Sequence, residues 1–242
     1  MIPKTIHYAW FGPKEMPADM MRLIDGWRKV MPDYEFILWN ESNFDVSYTP
    51  YLREAYASGN FAFVVDVVRF NVLYRYGGIY LDTDIEVIKS FDPYIGTTGF
   101  LGYETAAIGT GVIGAPPRAR WIKACLDYYE SRHFINICGK TLRRPSPRVL
   151  TAVTAPYIGK EVTAYPIDCF CAKDWRTGAI RVTDNTVCIH HYADTWRKKR
   201  LSPWGKVVKL LRGLATRYDC RSAASFLALP CAAKCRGCTP RR

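Results

Sequence analysis

The segment from Asn60 to Asp84 constrains the fold more than any other. An apolar stretch, Phe61-Ala62-Phe63-Val64-Val65-Asp66-Val67-Val68-Arg69-Phe70-Asn71-Val72-Leu73-Tyr74-Arg75-Tyr76, runs into Gly77-Gly78 and then Ile79-Tyr80-Leu81-Asp82-Thr83-Asp84. The apolar content and the closing glycines predict a helix over 61–76, with glycine as its C-terminal stop. The β-branched pairs Val64-Val65 and Val67-Val68 oppose that reading on propensity alone. Asp66 and Arg69 decide it, because residues three apart are neighbours on one helical face. Past the glycines a short buried strand is expected to deliver Asp82 and Asp84, which on extended backbone point to the same side. Two carboxylates at a strand end suit a hard divalent cation that keeps positions open for substrate phosphates. An Asp-x-Asp alone is common by chance. An acid and an arginine placed on so apolar a helix beside it point to a site for a polyhydroxylated, phosphate-bearing ligand, because burying such a pair without a use is costly.

The rest of the chain reads as alternating strands and helices: strand at Thr5–Trp10, helix at Met20–Val30, strand at Glu35–Trp39 and a short helix from Pro50 to Tyr56. After the 61–76 helix come strands at Tyr80–Leu81, Ile85–Val87 and Thr110–Ala115, a helix from Ala119 to Tyr129 and a late strand within Asn185–Tyr192. Leu142–Arg148 is the most loop-like interior stretch. Alternation of this kind predicts an α/β fold with a mostly parallel central sheet flanked by helices and ligand at the carboxyl ends of its strands. A chain of 242 residues is long enough for one such domain.

Asp66-x-x-Arg69 followed by Gly77-Gly78-Ile79-Tyr80-Leu81-Asp82-Thr83-Asp84 resembles the DXD-containing sugar-binding glycosyltransferases of family 32, related to the yeast initiating α-1,6-mannosyltransferase and to the clostridial glucosylating toxins. Ile2–Gly12, Pro32–Asn40 and Ile189-His190-His191-Tyr192-Ala193-Asp194-Thr195-Trp196 are similar to that family's opening strand, second strand and closing element. Two positions depart from its pattern: Val65 stands where a Ser usually precedes the helix Asp, and Thr195 replaces a Ser. The resemblance implies a GT-A nucleotide-sugar transferase fold over residues 1–196, a UDP-sugar donor ahead of a GDP-sugar, Mn2+ or Mg2+, and retention of anomeric configuration. It implies Asp84 as a direct metal ligand, Asp82 on the ribose or the metal, and His191 rather than His190 completing the metal shell. Catalytic roles are expected for Asp66, Arg69, Asp82 and Asp84. Asp66 accepts from donor-sugar hydroxyls, Arg69 contacts sugar or phosphate, Trp10 stacks on the base, and Trp196 caps the diphosphate. For retention, Glu104, Asp168 and Asp194 are the loose nucleophile candidates; front-side attack, with the leaving phosphate as base, is the favoured alternative.

Charge divides the chain. Residues 196–242 hold 13 Lys or Arg against one acid, Asp219, and residues 1–195 hold 21 of each sign. A basic tail, 197–242, beside a neutral domain implies an anionic surface as partner. Lys206, Lys209 and Arg212 recur at threes, with Val207, Val208, Leu211 and Leu214 largely opposite and Trp204 adjacent. That pattern fits a helix in a bilayer interface or a basic helix docked on its own domain. Nucleic acid is disfavoured, since no reader motif accompanies the charge. Cys220, Cys231, Cys235 and Cys238 lack zinc-ribbon spacing, while Cys125, Cys138, Cys169, Cys171 and Cys188 are scattered. The opening Met1-Ile2-Pro3-Lys4 carries no leader pattern and no apolar run reaches the roughly 18 residues of a membrane span. A cytoplasmic protein is expected, peripheral on the inner face of the plasma membrane.

The functional expectation is transfer of a hexose or N-acetylhexosamine from a nucleotide sugar to a glycan, lipid-linked, in capsule, O-antigen or exopolysaccharide synthesis. The competing readings are an effector that glycosylates a host protein, a basic nucleic-acid- or membrane-binding module with a structural carboxylate pair, and a metal-dependent phosphohydrolase. The last lacks the additional clustered ligands that two-metal hydrolysis uses.

Overall fold

The computed structural model describes residues 1–193. Asp194, Thr195, Trp196 and the basic tail with its cysteines, all given roles or readings above, lie outside the described residues. In chain order the elements are β1 (Thr5–Ala9), α1 (Ala18–Val30), β2 (Glu35–Trp39), α2 (Pro50–Ala57), α3 (Phe61–Tyr76), β3 (Gly78–Leu81), β4 (Ile85–Val87) and α4 (Asp92–Ile95). They continue with β5 (Phe100–Tyr103), β6 (Ile108–Ala115), α5 (Arg120–Glu130), α6 (Ser146–Thr154), β7 (Thr163–Tyr165), α7 (Ile167–Phe170) and β8 (Cys188–His190).

Six strands form one sheet in the order β2-β1-β3-β6-β5-β7, and β4 pairs with β8 in a separate two-stranded ribbon. β1 runs parallel to β2 and β3, and β5 parallel to β7, while β6 is antiparallel to both β3 and β5. Five of the six strands therefore point the same way, as the alternating pattern predicts. Helices cover both faces. On one side Leu52 of α2, Val64, Phe70 and Leu73 of α3, Trp121 and Ile122 of α5 and Leu150 of α6 close one core. On the other, Ile24 and Trp27 of α1 join Phe91, Phe100 and Phe170.

The local causes are legible. Thr49 caps α2 by accepting from the Leu52 amide at 3.2 Å, and Pro50 takes a first-turn position where no amide donor is needed. In α3 every residue from Phe63 to Leu73 except Val65 is buried, which is why its sequence is apolar around most of its circumference rather than striped. That burial overrides the weak helix propensity of its valines. Gly77 ends α3 at φ +67° and Gly78 follows at φ +100°. A Cβ on Gly78 would sit 2.6 Å from the Thr5 carbonyl oxygen of β1, so only glycine lets β3 turn in tightly against β1.

The short elements α4, β5, β7 and α7 are not predicted from the sequence, having no clear periodicity at only three or four residues each. The stretch read as a loop, 142–148, is loop only to Pro145, because Ser146-Pro147 opens α6. Asp82 and Asp84 do not lie on extended strand. β3 ends at Leu81 and Asp82-Thr83-Asp84 forms a turn in which the Ile85 amide donates to the Asp82 carbonyl at 3.1 Å.

His7 of β1 is wholly buried beneath this junction. Its Nε2 donates to the Gly77 carbonyl at 2.8 Å and its Nδ1 accepts from the Trp39 indole at 3.1 Å, which requires the neutral ring. Burial lowers its pKa to about 4, against a smaller raising effect of the Gly77 bond. The unfolded chain therefore binds a proton at His7 that the folded chain refuses between pH 6.5 and 4. The stabilisation this gives is full above pH 6.5 and is lost as pH falls through that window, about 3 kcal/mol in all. Urea unfolding of the wild type and His7→Gln should show a stability difference that shrinks as pH drops from 7 to 4; a pH-independent difference would contradict the assignment.

Candidate active site

The carboxyl ends of β1 and β3 lie on the same edge of the sheet, and the chemistry gathers there. α3 brings Asp66 and Arg69 to this edge as a buried pair, Arg69 Nη2 to Asp66 Oδ1 at 3.1 Å. The same Nη2 lies 3.5 Å from Asp82 Oδ1, and Nη1 donates to the Thr110 carbonyl of β6 at 2.5 Å. The guanidinium stacks 5.0 Å from the centre of the Tyr80 ring. Every face of Arg69 is thus engaged, and it joins α3, β3 and β6 at one point. This geometry makes Arg69 a positioning group for two carboxylates, its direct contact with a sugar or phosphate remaining an expectation.

Burial dominates the electrostatics. It raises Asp66 to about 6, offset in part by Arg69 and by a hydrogen bond from Ser146. Ser146 Oγ in turn lies 3.3 Å from Thr110 Oγ1, so α6 and β6 brace the acid from the far side. Burial also raises Asp82, with Arg69 opposing and the charge of Asp84 adding. For Asp84 burial is outweighed by His190 and by the Ala193 amide, which donates to Oδ2 at 2.8 Å, and its pKa falls below the ordinary value. Burial pulls His190 down, but its contact with Asp84, Nε2 to Oδ1 at 3.3 Å, prevails and raises it well above the usual imidazole value.

Asp82, Asp84 and His190 offer ligand atoms that all lie within 4.8 Å of one another. Two hard carboxylates and one imidazole, converging at an edge where Arg69 leaves them partly uncompensated, fit a divalent cation. The histidine of this cluster is His190, where the sequence reading favoured His191. The strand pairing explains it. Ile85 of β4 lies opposite His190 of β8, while the His191 amide donates to the Asp84 carbonyl and its ring turns to Glu86, Nε2 to Oε2 at 2.7 Å. Tyr192, at φ +54°, folds back to stack on His190 with ring centres 4.1 Å apart. Gly111 makes the room: a Cβ there would meet His190 Nδ1 at 3.3 Å. That glycine in the Thr110-Gly111 run was the available signal, and it was not used.

Of the other candidates, Trp10 follows β1 at the same edge, half-buried, with its indole N–H donated to the Lys14 carbonyl at 2.6 Å. Glu104 lies in the field of His190, Asp82 and Asp84, and burial raises its pKa. Asp168 is elsewhere, accepting from Thr183 Oγ1 at 2.8 Å and Asn185 Nδ2 at 3.3 Å. Thr110 and Ser146 are contributors that no motif marked, and Tyr80 lies inside the Gly77–Asp84 motif with no role assigned to it there.

The profile of the family described as "Glycosyltransferase sugar-binding region containing DXD motif" matches residues 17–101, which span Asp66, Arg69, Asp82 and Asp84. Inositol phosphoceramide mannosyltransferase 3 of Schizosaccharomyces pombe is 35% identical over 98 residues, 39% of this chain and 27% of that protein. The mannosyl phosphorylinositol ceramide synthase CSH1 of Saccharomyces cerevisiae is 27% identical over 155 residues, 58% of this chain and 40% of its own length. The chain thus spans well under half of these relatives. Among solved structures, PaToxG glycosyltransferase superposes with a TM-score of 0.50 at 21% identity, covering 65% of this chain and 70% of that one.

Removing the Arg69 guanidinium should leave Asp66 and Asp82 buried without a counter-charge. Arg69→Ala is expected to lower unfolding free energy by about 3–5 kcal/mol, measured by urea denaturation at pH 7; a loss under about 1 kcal/mol, the range of an exposed pair, would refute its structural role. Through residues 17–101 the chain is similar to the sugar-binding region of DXD glycosyltransferases, and it carries that region on a GT-A glycosyltransferase fold.

Proposed function

We propose that this chain is a metal-dependent, retaining glycosyltransferase that moves a hexose or N-acetylhexosamine from a nucleotide sugar, UDP-linked in preference to GDP-linked, to a lipid-borne glycan acceptor. The observation that carries the reading is the Asp82, Asp84 and His190 cluster set against the buried Asp66–Arg69 pair. Asp82, Asp84 and His190 would hold the cation, whose chemistry when bound is Lewis-acid neutralisation of a diphosphate leaving group. Asp66, fixed by Arg69 and Ser146, presents an acceptor for sugar hydroxyls in a site where a hydrogen bond is worth more than in water. Trp10 and Trp196 are assigned to the base and the diphosphate.

Residues 1–196 are assigned as the catalytic domain and 197–242 as a basic appendage facing an anionic membrane. The charge division supports a peripheral position on the inner membrane face, with acceptors such as capsule, O-antigen or exopolysaccharide units. Among the described residues no helix is long and apolar enough to cross a membrane. One relative is named an inositol phosphoceramide mannosyltransferase, which supports a lipid-borne acceptor and places mannosyl donors in the panel to test. For retention we favour front-side attack. Glu104 stands in the field of His190, Asp82 and Asp84, with burial raising its pKa and His190 opposing, and we assign it no nucleophilic role.

Nucleotide release from UDP- and GDP-sugars with Mn2+ should single out one donor. Chelation and Asp84→Asn should each lower turnover by about 100-fold or more. A folded wild-type protein that turns over no donor would sink the reading. The histidine assignment has its own test. His190→Ala should weaken Mn2+ binding, followed by electron paramagnetic resonance, by about 10-fold or more, whereas His191→Ala should not. Because His190 is held protonated by Asp84 without metal, Mn2+ affinity should rise with pH above 6.5; a flat profile counts against His190 as ligand. After incubation with the donor, intact-protein mass spectrometry should show no glycosyl adduct, and an adduct on Glu104 would overturn the front-side route.

A further inference from the structure

Residues 174–185 are all exposed, yet the hairpin they belong to is ordered by its own hydrogen bonds. Lys173 and Ile180 form an antiparallel bridge, the Asp174 amide donates to the Ala179 carbonyl at 2.9 Å, and the Arg181 amide donates to the Ala172 carbonyl at 2.8 Å. At the tip Asp174 Oδ1 accepts from the Arg176 amide at 2.8 Å and the Thr177 amide at 3.0 Å. Gly178, at φ +74°, closes the turn by donating to the Asp174 carbonyl at 2.8 Å.

The side chains held out by this frame do not suit water. Trp175 is 55% exposed, Ile180 48% and Val182 56%. Ile167, also exposed, precedes Asp168, which accepts from Thr183 and Asn185 at the hairpin base. Four of the ten large exposed hydrophobic side chains among the described residues thus gather at one hairpin. Single exposed apolar residues are ordinary, but a cluster marks a surface that meets a partner.

The neighbouring charges identify the partner. Between 173 and 182 stand Lys173, Arg176 and Arg181 against one acid, Asp174, whose Oδ1 is already taken by two turn amides. The other acids of this region, Asp168 and Asp184, lie at the base, where the Asp184 carbonyl accepts from Lys89 Nζ at 2.5 Å. Trp175 adjoins Arg176, and Ile180 and Val182 flank Arg181, so apolar groups and cations stand side by side. That combination partitions into the headgroup layer of an anionic bilayer, with the indole at the boundary and the guanidinium groups on lipid phosphates. A protein partner fits less well. A stable protein interface takes about 20 to 30 residues a side, and this exposed run has twelve. A bilayer needs no matching shape.

We infer that the 173–182 hairpin is a membrane-contact element, seating Trp175, Ile180 and Val182 in the interface of an anionic bilayer with Arg176 and Arg181 on its phosphates. Its anchorage ties that contact to the site: Lys173 Nζ donates to the His191 carbonyl at 2.9 Å, one residue from the imidazole of the cation cluster. That the surface brings an acceptor to the site rests on the transferase reading; its affinity for a bilayer does not.

The test is sedimentation of the full chain with vesicles of phosphatidylcholine plus phosphatidylserine, and of phosphatidylcholine alone. Wild type should bind the anionic vesicles more tightly. The double variants Trp175→Ser with Ile180→Ser and Arg176→Glu with Arg181→Glu should each weaken that binding about 10-fold. Because the four side chains are exposed, both variants should keep the wild-type Tm and donor-only nucleotide release. Binding carried by residues 197–242 alone would survive both variants unchanged, and that result overturns the proposal, as does equal or absent binding to the two vesicle types. Brominated phosphatidylcholine in the anionic vesicles reports on Trp175 itself. At equal bound protein, the loss of tryptophan emission should be smaller in Trp175→Phe than in wild type, and equal losses count against insertion. Self-association that both double variants abolish, without vesicle binding, assigns the surface to a second copy and overturns the bilayer. Nucleotide release with hairpin-independent vesicle binding removes the contact and keeps the transferase reading; hairpin-dependent binding without release does the reverse.

Discussion

The arrangement depends on one buried guanidinium. Arg69 reaches Asp66 at 3.1 Å, Asp82 at 3.5 Å and the Thr110 carbonyl at 2.5 Å while almost out of contact with solvent. A lone charge in that position would be expelled or neutralised, and so would either carboxylate. Together they fix where α3, β3 and β6 meet. The attraction is offset by desolvation, so this cluster is weak evidence for stability but strong evidence for geometry. It sets Asp82 at the sheet edge, and everything placed there afterwards is placed relative to it.

Around that fixed point the acids are made unequal. Asp66 and Asp82 are pushed up by burial, whereas Asp84 is pulled down by His190 and the Ala193 amide. One carboxylate stays ionised and close to an imidazole, and a second is reluctant to ionise without a positive neighbour. A divalent cation would relieve both conditions at once. Divergent environments for neighbouring acids are a recurrent mark of sites that do chemistry, and here the divergence follows from three-dimensional neighbours rather than from residue type.

The small β4–β8 ribbon has a function out of proportion to its length. By pairing Ile85 with His190 it carries a residue from the end of the described chain back to the Asp82–Asp84 turn. Trp27 of α1 donates to the Ile85 carbonyl at 2.7 Å, tying the ribbon to the helical layer beneath. Gly111, lacking a side chain, leaves the space the imidazole occupies. The site therefore draws on residues from five elements and the turns between them.

Much of this was legible from sequence. The 61–76 helix, its glycine stop, the alternation behind a mostly parallel sheet, and the acids at 66, 82 and 84 are local patterns, and local patterns survive in one dimension. The short elements α4, β5, β7 and α7 were not, because three or four residues carry too little periodicity to stand apart from loop. What only the tertiary structure decided was parity and proximity. Whether His190 or His191 meets Asp84 depends on the register of β8 against β4, and a one-residue change reverses which side chain faces the site. Whether Arg69 reaches a ligand or two carboxylates depends on β6 delivering Thr110 beside it. Sequence determined which groups are available; long-range register and burial determined which of them meet.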